Sequence, residues 1–146
     1  MVCLGNICRS PMAEGILRHK ASLHNKDIQI DSAGTGDWHQ GEQPDLRAIE
    51  YMRSQGIDIS KLRARQICEE DFHEFDLILT MDAENYTNVN RIKPANAKAR
   101  VEMAMNLKYP GINISVPDPY FGGAEGFAQV FSMLDETLDT LIHTKE

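Results

Sequence analysis

The stretch Cys3-Leu4-Gly5-Asn6-Ile7-Cys8-Arg9-Ser10, followed at once by Pro11, constrains this chain more than any other. It sets a thiol and a guanidinium at opposite ends of a tight loop that opens a helix. Gly5 and Asn6 are the residue types that most readily reach positive φ, so the loop is expected to curl until successive backbone N–H groups converge on one point. A tetrahedral oxyanion such as phosphate fits such a nest. Ser10 reads as an N-cap and Pro11 as the first helical residue, which starts the helix where the loop ends and turns its positive dipole end toward the anion. The same field favours Cys3 as a thiolate, and Arg9 offers a planar fork for two phosphate oxygens. Ser10 could also hydrogen-bond the sulfur and stabilise it as a leaving group. A bare Cys-x5-Arg spacing is weak by itself, since Cys3 could be a small buried hydrophobe and Arg9 a surface charge. The glycine, the asparagine and the Ser-Pro helix opening each add a separate mechanical reason.

Around this loop the chain alternates strand-like and helix-like stretches, without an internal repeat, a low-complexity tract or a linker. Val2-Cys3, Ile28 to Ser32, Asp76 to Thr80 and Ile112 to Val116 read as strands. Ser10 to about Leu23, Leu46 to Gln55, Asp82 to Arg91 and Gly126 to His143 read as helices. The expected fold is α/β: a small doubly wound parallel sheet of four strands, helices on both faces, with the cysteine loop after strand 1 where such sheets bind ligands. In the last helix Phe127, Val130, Phe131, Leu134, Leu138, Leu141 and Ile142 recur at three and four, a core stripe rather than a ligand box. Asp82 reads as an N-cap rather than a catalytic acid.

At 146 residues one domain with a single core is expected, spanning 1–146. The net charge of −7 argues against a nucleic-acid backbone as partner. It also opposes an anionic substrate, so the local N–H dipoles and Arg9 must win at short range. Three cysteines without Cys-x2-Cys pairing give neither a disulfide framework nor a zinc site. No apolar run is long enough to span a membrane and no signal peptide is present, so a cytoplasmic location is expected. No metal or cofactor is called for.

Transfer of a phosphoryl group to the thiol needs a proton donor wherever the leaving oxygen belongs to a weak acid, such as a phenol with a pKa near 10. Asp118 is the candidate: Pro117 and Pro119 stiffen the backbone on either side of it, so its carboxyl can be held over the loop. The bland alternative is a Pro-Asp-Pro turn with a solvated acid. Trp38, Tyr120 and Phe121 fall in loop contexts and are candidate walls around a flat aromatic ring, the alternative being local packing of two long loops. His39, beside Trp38, reads as a solvated loop residue.

These residues, with Asp31-Ser32-Ala33-Gly34, Arg63-Ala64-Arg65-Gln66, Met81-Asp82 and Asp118-Pro119-Tyr120, make the chain similar to the low-molecular-weight protein tyrosine phosphatases over nearly its whole length. The resemblance implies a hydrolase in which Cys3 attacks phosphorus, Arg9 and the loop residues Leu4, Gly5, Asn6, Ile7, Cys8 and Ser10 bind the phosphoryl group, and Asp118 is the general acid. It implies that Trp38 and Tyr120 flank a phosphotyrosine of a protein substrate, and that free phosphate or another oxyanion occupies the loop. Related arginine phosphatases carry a threonine where this chain has Ile7, which favours the aryl substrate. Arsenate reductases of the same fold need further closely spaced cysteines, and only Cys68 is left here. A non-catalytic phosphotyrosine-binding module is the rival from another class. Relatives with both loop cysteines use the pair as a reversible oxidation guard, which implies that role for Cys8.

Two departures from the pattern carry expectations of their own. Leu62 stands where relatives commonly have a histidine behind the loop asparagine, so Asn6 is expected to rest on Ser10 and Ser32 alone. Relatives also show several more apolar residues before the nucleophile, where this chain has Met1 and Val2. The expectation is that the natural protein starts upstream, or that a short first strand holds the site loosely.

Overall fold

The computed structural model describes residues 1–120 and 122–143. Four parallel strands, β1 (Val2–Cys3), β2 (Ala33–Gly34), β3 (Leu77–Thr80) and β4 (Arg100–Met103), lie in the order β2-β1-β3-β4. Parallel strands need a crossover to return the chain, and helices supply it: α1 (Arg9–Leu23), α2 (Leu46–Ser54), α3 (Asp71–Glu74), α4 (Ala83–Ile92) and α5 (Ala124–His143). The expected doubly wound α/β fold is the one observed. No described helix is long and apolar enough to cross a membrane.

The period of two along the strands divides the core between the faces of the sheet. Cys3, Leu79 and Met81 point into the larger cluster, with Met12 and Ile16 of α1, Met52 of α2, and Phe127, Leu134 and Leu138 of α5. Val2 and Ile78 point the other way, into a smaller cluster with Phe72 of α3 and Val89 of α4. The apolar stripe of α5 is core as read, with Phe127, Val130, Leu134, Leu138 and Ile142 buried. Asp82 does cap α4: its carboxylate accepts from the Asn85 N–H at 2.7 Å, and the Asn85 side chain accepts from the Asp82 N–H.

Two strand expectations are corrected. Ile28 to Ser32 is not a strand; pairing begins only at Ala33, because β1 offers just Val2 and Cys3, in register with Ala33 and Gly34. Ile112 to Val116 is not a strand either. Asn113 takes a φ of 61° and its side-chain oxygen and backbone N–H bond to Asn106, which turns the chain, and Ile112 is left exposed. The fourth strand is Arg100–Met103, whose register with β3 runs from Leu77↔Arg100 to Thr80↔Met103. The short helix α3 had no counterpart in the sequence reading.

β1 lies between β2 and β3, so the chain leaving it runs directly from the sheet centre into α1. This junction, residues 4–8, carries the site.

Candidate active site

The five residues between Cys3 and Arg9 are shaped by one left-handed residue and one glycine contact. Asn6 takes the positive φ, 58°; Gly5 does not. What requires a glycine is the close approach behind the loop: a Cβ on Gly34 would sit 2.8 Å from the Leu4 carbonyl oxygen and 3.2 Å from the Asn6 nitrogen. Helix α1 begins at Arg9 with Cys8 as the N-cap, and no side chain caps it. Ser10 is therefore inside the first turn, not the cap expected of it, and its hydroxyl is free for other work. Pro11 stays within the first turn, where its missing N–H removes no helical bond.

That hydroxyl lies 3.0 Å from Cys3 Sγ, and the Asn6 backbone N–H donates to the same sulfur at 3.3 Å. The Asn6 amide donates to Ser10 Oγ at 2.7 Å and to Ser32 Oγ at 3.0 Å. Its carbonyl oxygen accepts from the Arg65 N–H at 3.0 Å. This corrects the expectation drawn from Leu62: Asn6 rests on three supports, the third a backbone amide of the 63–66 segment that no side-chain substitution at 62 removes. Behind them Ser32 donates to Glu14 at 2.6 Å, a carboxylate 3% exposed that also takes Arg18 Nε at 2.9 Å. Arg65 is anchored in turn by a two-pronged pair with Asp71 at 2.9 and 2.8 Å. The loop is thus tied from behind rather than loosely held.

Arg9 is 2% exposed and makes polar contacts that aim it. Nη1 donates to Asp82 Oδ2 at 2.7 Å and to the Val116 carbonyl at 3.0 Å, while Nη2 lies 3.6 Å from Asp118 Oδ2. Burial works against its charge, but Cys3, Asp82 and Asp118 outweigh that and hold the guanidinium above its ordinary pKa. Asp82 therefore does more than cap α4: one oxygen holds the helix and the other orients Arg9. Asp118 is partly exposed, and its Oδ1 accepts from the Tyr120 N–H at 3.0 Å, an Asx turn that fixes the carboxyl relative to its own loop. Burial first, and then Asp45, push the Cys8 thiol well above its usual pKa.

Cys3, Leu4, Gly5, Ile7, Cys8, Arg9, Trp38, Asp118 and Tyr120 line one cavity of about 190 Å³. Nearly every residue singled out in the sequence is thus gathered at the C-terminal end of β1; Asn6 and Ser10 stand behind its wall, and Phe121 lies outside the described residues. Trp38 is 67% exposed and lies across Gly36, where an added Cβ would meet its ring. His39 is not the solvated loop residue expected. It lines the cavity, bonds Glu42 through Nδ1 at 3.0 Å, and packs close to position 5, where a Cβ would stand 3.1 Å from its ring. Glu14, Arg65 and the second role of Asp82 were also missed; the only signal was that Arg65 and Asp82 fall inside quoted motifs and that Glu14 follows the loop motif closely.

A thiol, a buried guanidinium and a carboxylate around one anion-sized cavity define the geometry, and comparison with known proteins decides the family. The model of the low molecular weight phosphotyrosine protein phosphatases matches residues 1–146. The chain belongs to this family. It is 45% identical over 136 residues to the low molecular weight phosphotyrosine protein phosphatase of Schizosaccharomyces pombe, covering 91% of this chain and 86% of that one. Among solved phosphatases of this fold, the protein tyrosine phosphatase of Entamoeba histolytica, with Hepes in its active site, superposes with a TM-score of 0.89 at 35% identity, covering 97% of this chain and 91% of that one. A Drosophila arginine phosphatase superposes with a TM-score of 0.91 at 27% identity, covering 99% and 97%. As a member of the low molecular weight phosphatases the chain falls in a hydrolase class, and a cysteine-based mechanism accords with that membership.

Proposed function

We propose that this chain hydrolyses phosphotyrosine in protein substrates through a cysteinyl-phosphate, with Cys3 as nucleophile, Arg9 and the loop 4–8 as phosphoryl cradle and Asp118 as general acid and base. The observation that carries the reading is the placement of Asp118 beside Arg9, at 3.6 Å, over the cavity that Cys3 floors. In the first step the sulfur lone pair forms the S–P bond in line as the P–O bond to the tyrosine breaks. Asp118 gives its proton to the departing phenolate. The guanidinium, already aimed by Asp82, and the N–H groups at the start of α1, which have no intrahelical acceptors, hold the equatorial oxygens. In the second step Asp118 takes a proton from water as it attacks phosphorus, and the sulfur leaves with the Ser10 hydroxyl beside it. Positive charge comes from Arg9 and oriented amides, which accounts for anion binding in a chain of net charge −7.

Ile7 in the cavity wall and the exposed face of Trp38 favour a flat aryl group over a guanidinium, and Tyr120 bounds the opposite side. With Cys3, Cys8 and Cys68 all unpaired, a reducing, cytoplasmic setting fits a single domain of 1–146. Cys8 takes the resolving role by its place in the same loop, although its raised pKa means that it must lose its proton as it attacks. Peroxide would convert Cys3 to a sulfenic acid, and Cys8 would displace water from it to give a disulfide.

Hydrolysis of phosphotyrosine, phosphoserine and phosphoarginine peptides side by side tests the assignment. Phosphate release from phosphotyrosine alone, lost in Cys3→Ser while binding of inorganic phosphate persists, is expected. Preference for phosphoarginine, or turnover by Cys3→Ser, overturns it.

A further inference from the structure

The start of α2 joins the two sides of the cleft. Asp45 donates its backbone N–H to the Ile7 carbonyl of the cysteine loop at 2.8 Å. Its carboxylate, 12% exposed, accepts from the Arg47 N–H at 2.8 Å and from Nε and Nη2 of the Arg47 guanidinium at 3.0 and 2.9 Å. The same guanidinium reaches across to the loop that bears Asp118, where Nη2 donates to the Tyr120 carbonyl at 2.8 Å and Nη1 to the Gly122 carbonyl at 3.2 Å. Its plane also lies over the rings of Tyr120 and Phe127, at 5.6 and 5.0 Å. Tyr120 is therefore gripped on both sides, its N–H by Asp118 Oδ1 and its carbonyl by Arg47. A continuous line runs from Asp118 through Tyr120, Arg47 and Asp45 to Ile7.

Capping α2 needs only the Asp45 carboxylate and the Arg47 backbone N–H. The bonds from the guanidinium to Tyr120 and Gly122 add nothing to the helix, but they fix how far the Asp118 loop stands from the nucleophile loop. Two prolines stiffen Asp118 locally, and before it Val116 is tied to the Met81 carbonyl and to Arg9; the side of the loop after Asp118 needs a hold of its own. Arg47, with five donors in a rigid fork, supplies that hold; a lysine has the charge without the fork.

We propose that Arg47 is a positioning residue for the reaction, locking the Asp118 loop to the cysteine loop through Asp45 so that the acid stands within reach of the leaving oxygen. The proposal rests on Asp118 being the general acid.

The test is kcat/KM across aryl phosphates running from dinitrophenyl phosphate, whose phenolate leaves unaided, to phenyl phosphate, whose phenolate needs the proton. The proteins compared are the unaltered chain, Asp118→Ala, Arg47→Ala, Arg47→Lys and the double variant Asp118→Ala/Arg47→Ala, with thermal midpoints measured on all. In Arg47→Ala the loss is expected to grow with leaving-group pKa, reaching about tenfold on phenyl phosphate and staying under about twofold on dinitrophenyl phosphate, a fraction of what a general acid contributes. Arg47→Lys should share that slope, and the double variant should be no slower on phenyl phosphate than Asp118→Ala alone. An equal loss on every substrate, no loss at all, full rescue by lysine, or additive losses in the double variant would each overturn the proposal. If Asp118→Ala itself shows no leaving-group dependence, the assignment of the acid has failed, and the role of Arg47 falls with it.

Discussion

Asn6 is the residue on which the nucleophile loop turns, both conformationally and by hydrogen bonding. Its φ of 58° is costly for most side chains, and its amide satisfies Ser10, Ser32 and the Arg65 N–H together. Asn6→Ala should lose roughly 2–4 kcal/mol, combining backbone strain with the orphaned partners. Asn6→Gly tolerates the backbone and should recover part of that. Thermal midpoints of the two variants separate the contributions, and equal midpoints would mean that the φ is not strained. Glu14 acts one step further back. As a carboxylate it takes the Ser32 proton, so Ser32 accepts from Asn6, as Ser10 does; once Cys3 is a thiolate, the Ser10 proton goes to the sulfur at 3.0 Å in preference to the Ala33 carbonyl at 3.4 Å. A chain of donors aimed at the sulfur favours the anion on the leaving side of the second step.

At the scale of elements, the site depends on how closely β2 backs the cysteine loop. Gly34→Ala would press a methyl onto backbone atoms of Leu4, Gly5 and Asn6, none of which can swing aside as a side chain would. Overpacking of this kind costs about 1–3 kcal/mol. Because it displaces the cradle rather than the acid, kcat/KM should fall by the same factor for every aryl phosphate, unlike the graded loss expected from Arg47→Ala. A graded loss in Gly34→Ala would show that the contact acts on the acid instead. That Cys3, Arg9 and Asp118 meet at one cavity was legible in the sequence because each sits in a local pattern whose mechanics is short-range: a loop before a helix, an Asp between prolines. The strand limits were not. Ile28 to Ser32 has strand-like residues but no partner to pair with, and Arg100–Met103 is the edge strand beside β3, with charged residues at alternate positions. Pairing is a property of what lies alongside. Asp82 bonding Arg9, Arg65 bonding Asn6 and Arg47 reaching Tyr120 were hidden for the same reason, since they join residues 73, 59 and 73 positions apart.

For the whole molecule, the proposed function has an acidic chain bind an anion by burying one guanidinium in a frame held together by carboxylate–arginine pairs. Two of the acids that tie the frame together have their pKa values lowered by folding. For Asp71, burial opposes ionisation but Arg65 and the Cys68 N–H outweigh it. For Asp45, the Arg47 guanidinium leads, against burial. A carboxyl with a folded pKa below its unfolded value of about 3.9 contributes stability that is complete above that value and is lost as pH falls through the folded one. The thermal midpoint should therefore drop steeply below about pH 4, and Asp71→Asn should flatten part of that drop. A drop of the same steepness in Asp71→Asn would remove the Arg65–Asp71 pair from the account.

The central claim, that the phosphoryl group passes onto Cys3, is reached most directly by acid-quenching Asp118→Ala during turnover of dinitrophenyl phosphate and mapping the modification by mass spectrometry. Without its base for the second step this variant should accumulate a phosphoryl group on the peptide bearing Cys3, and on no other. An unmodified Cys3 while phosphate is being released, or the label on another residue, would contradict the account.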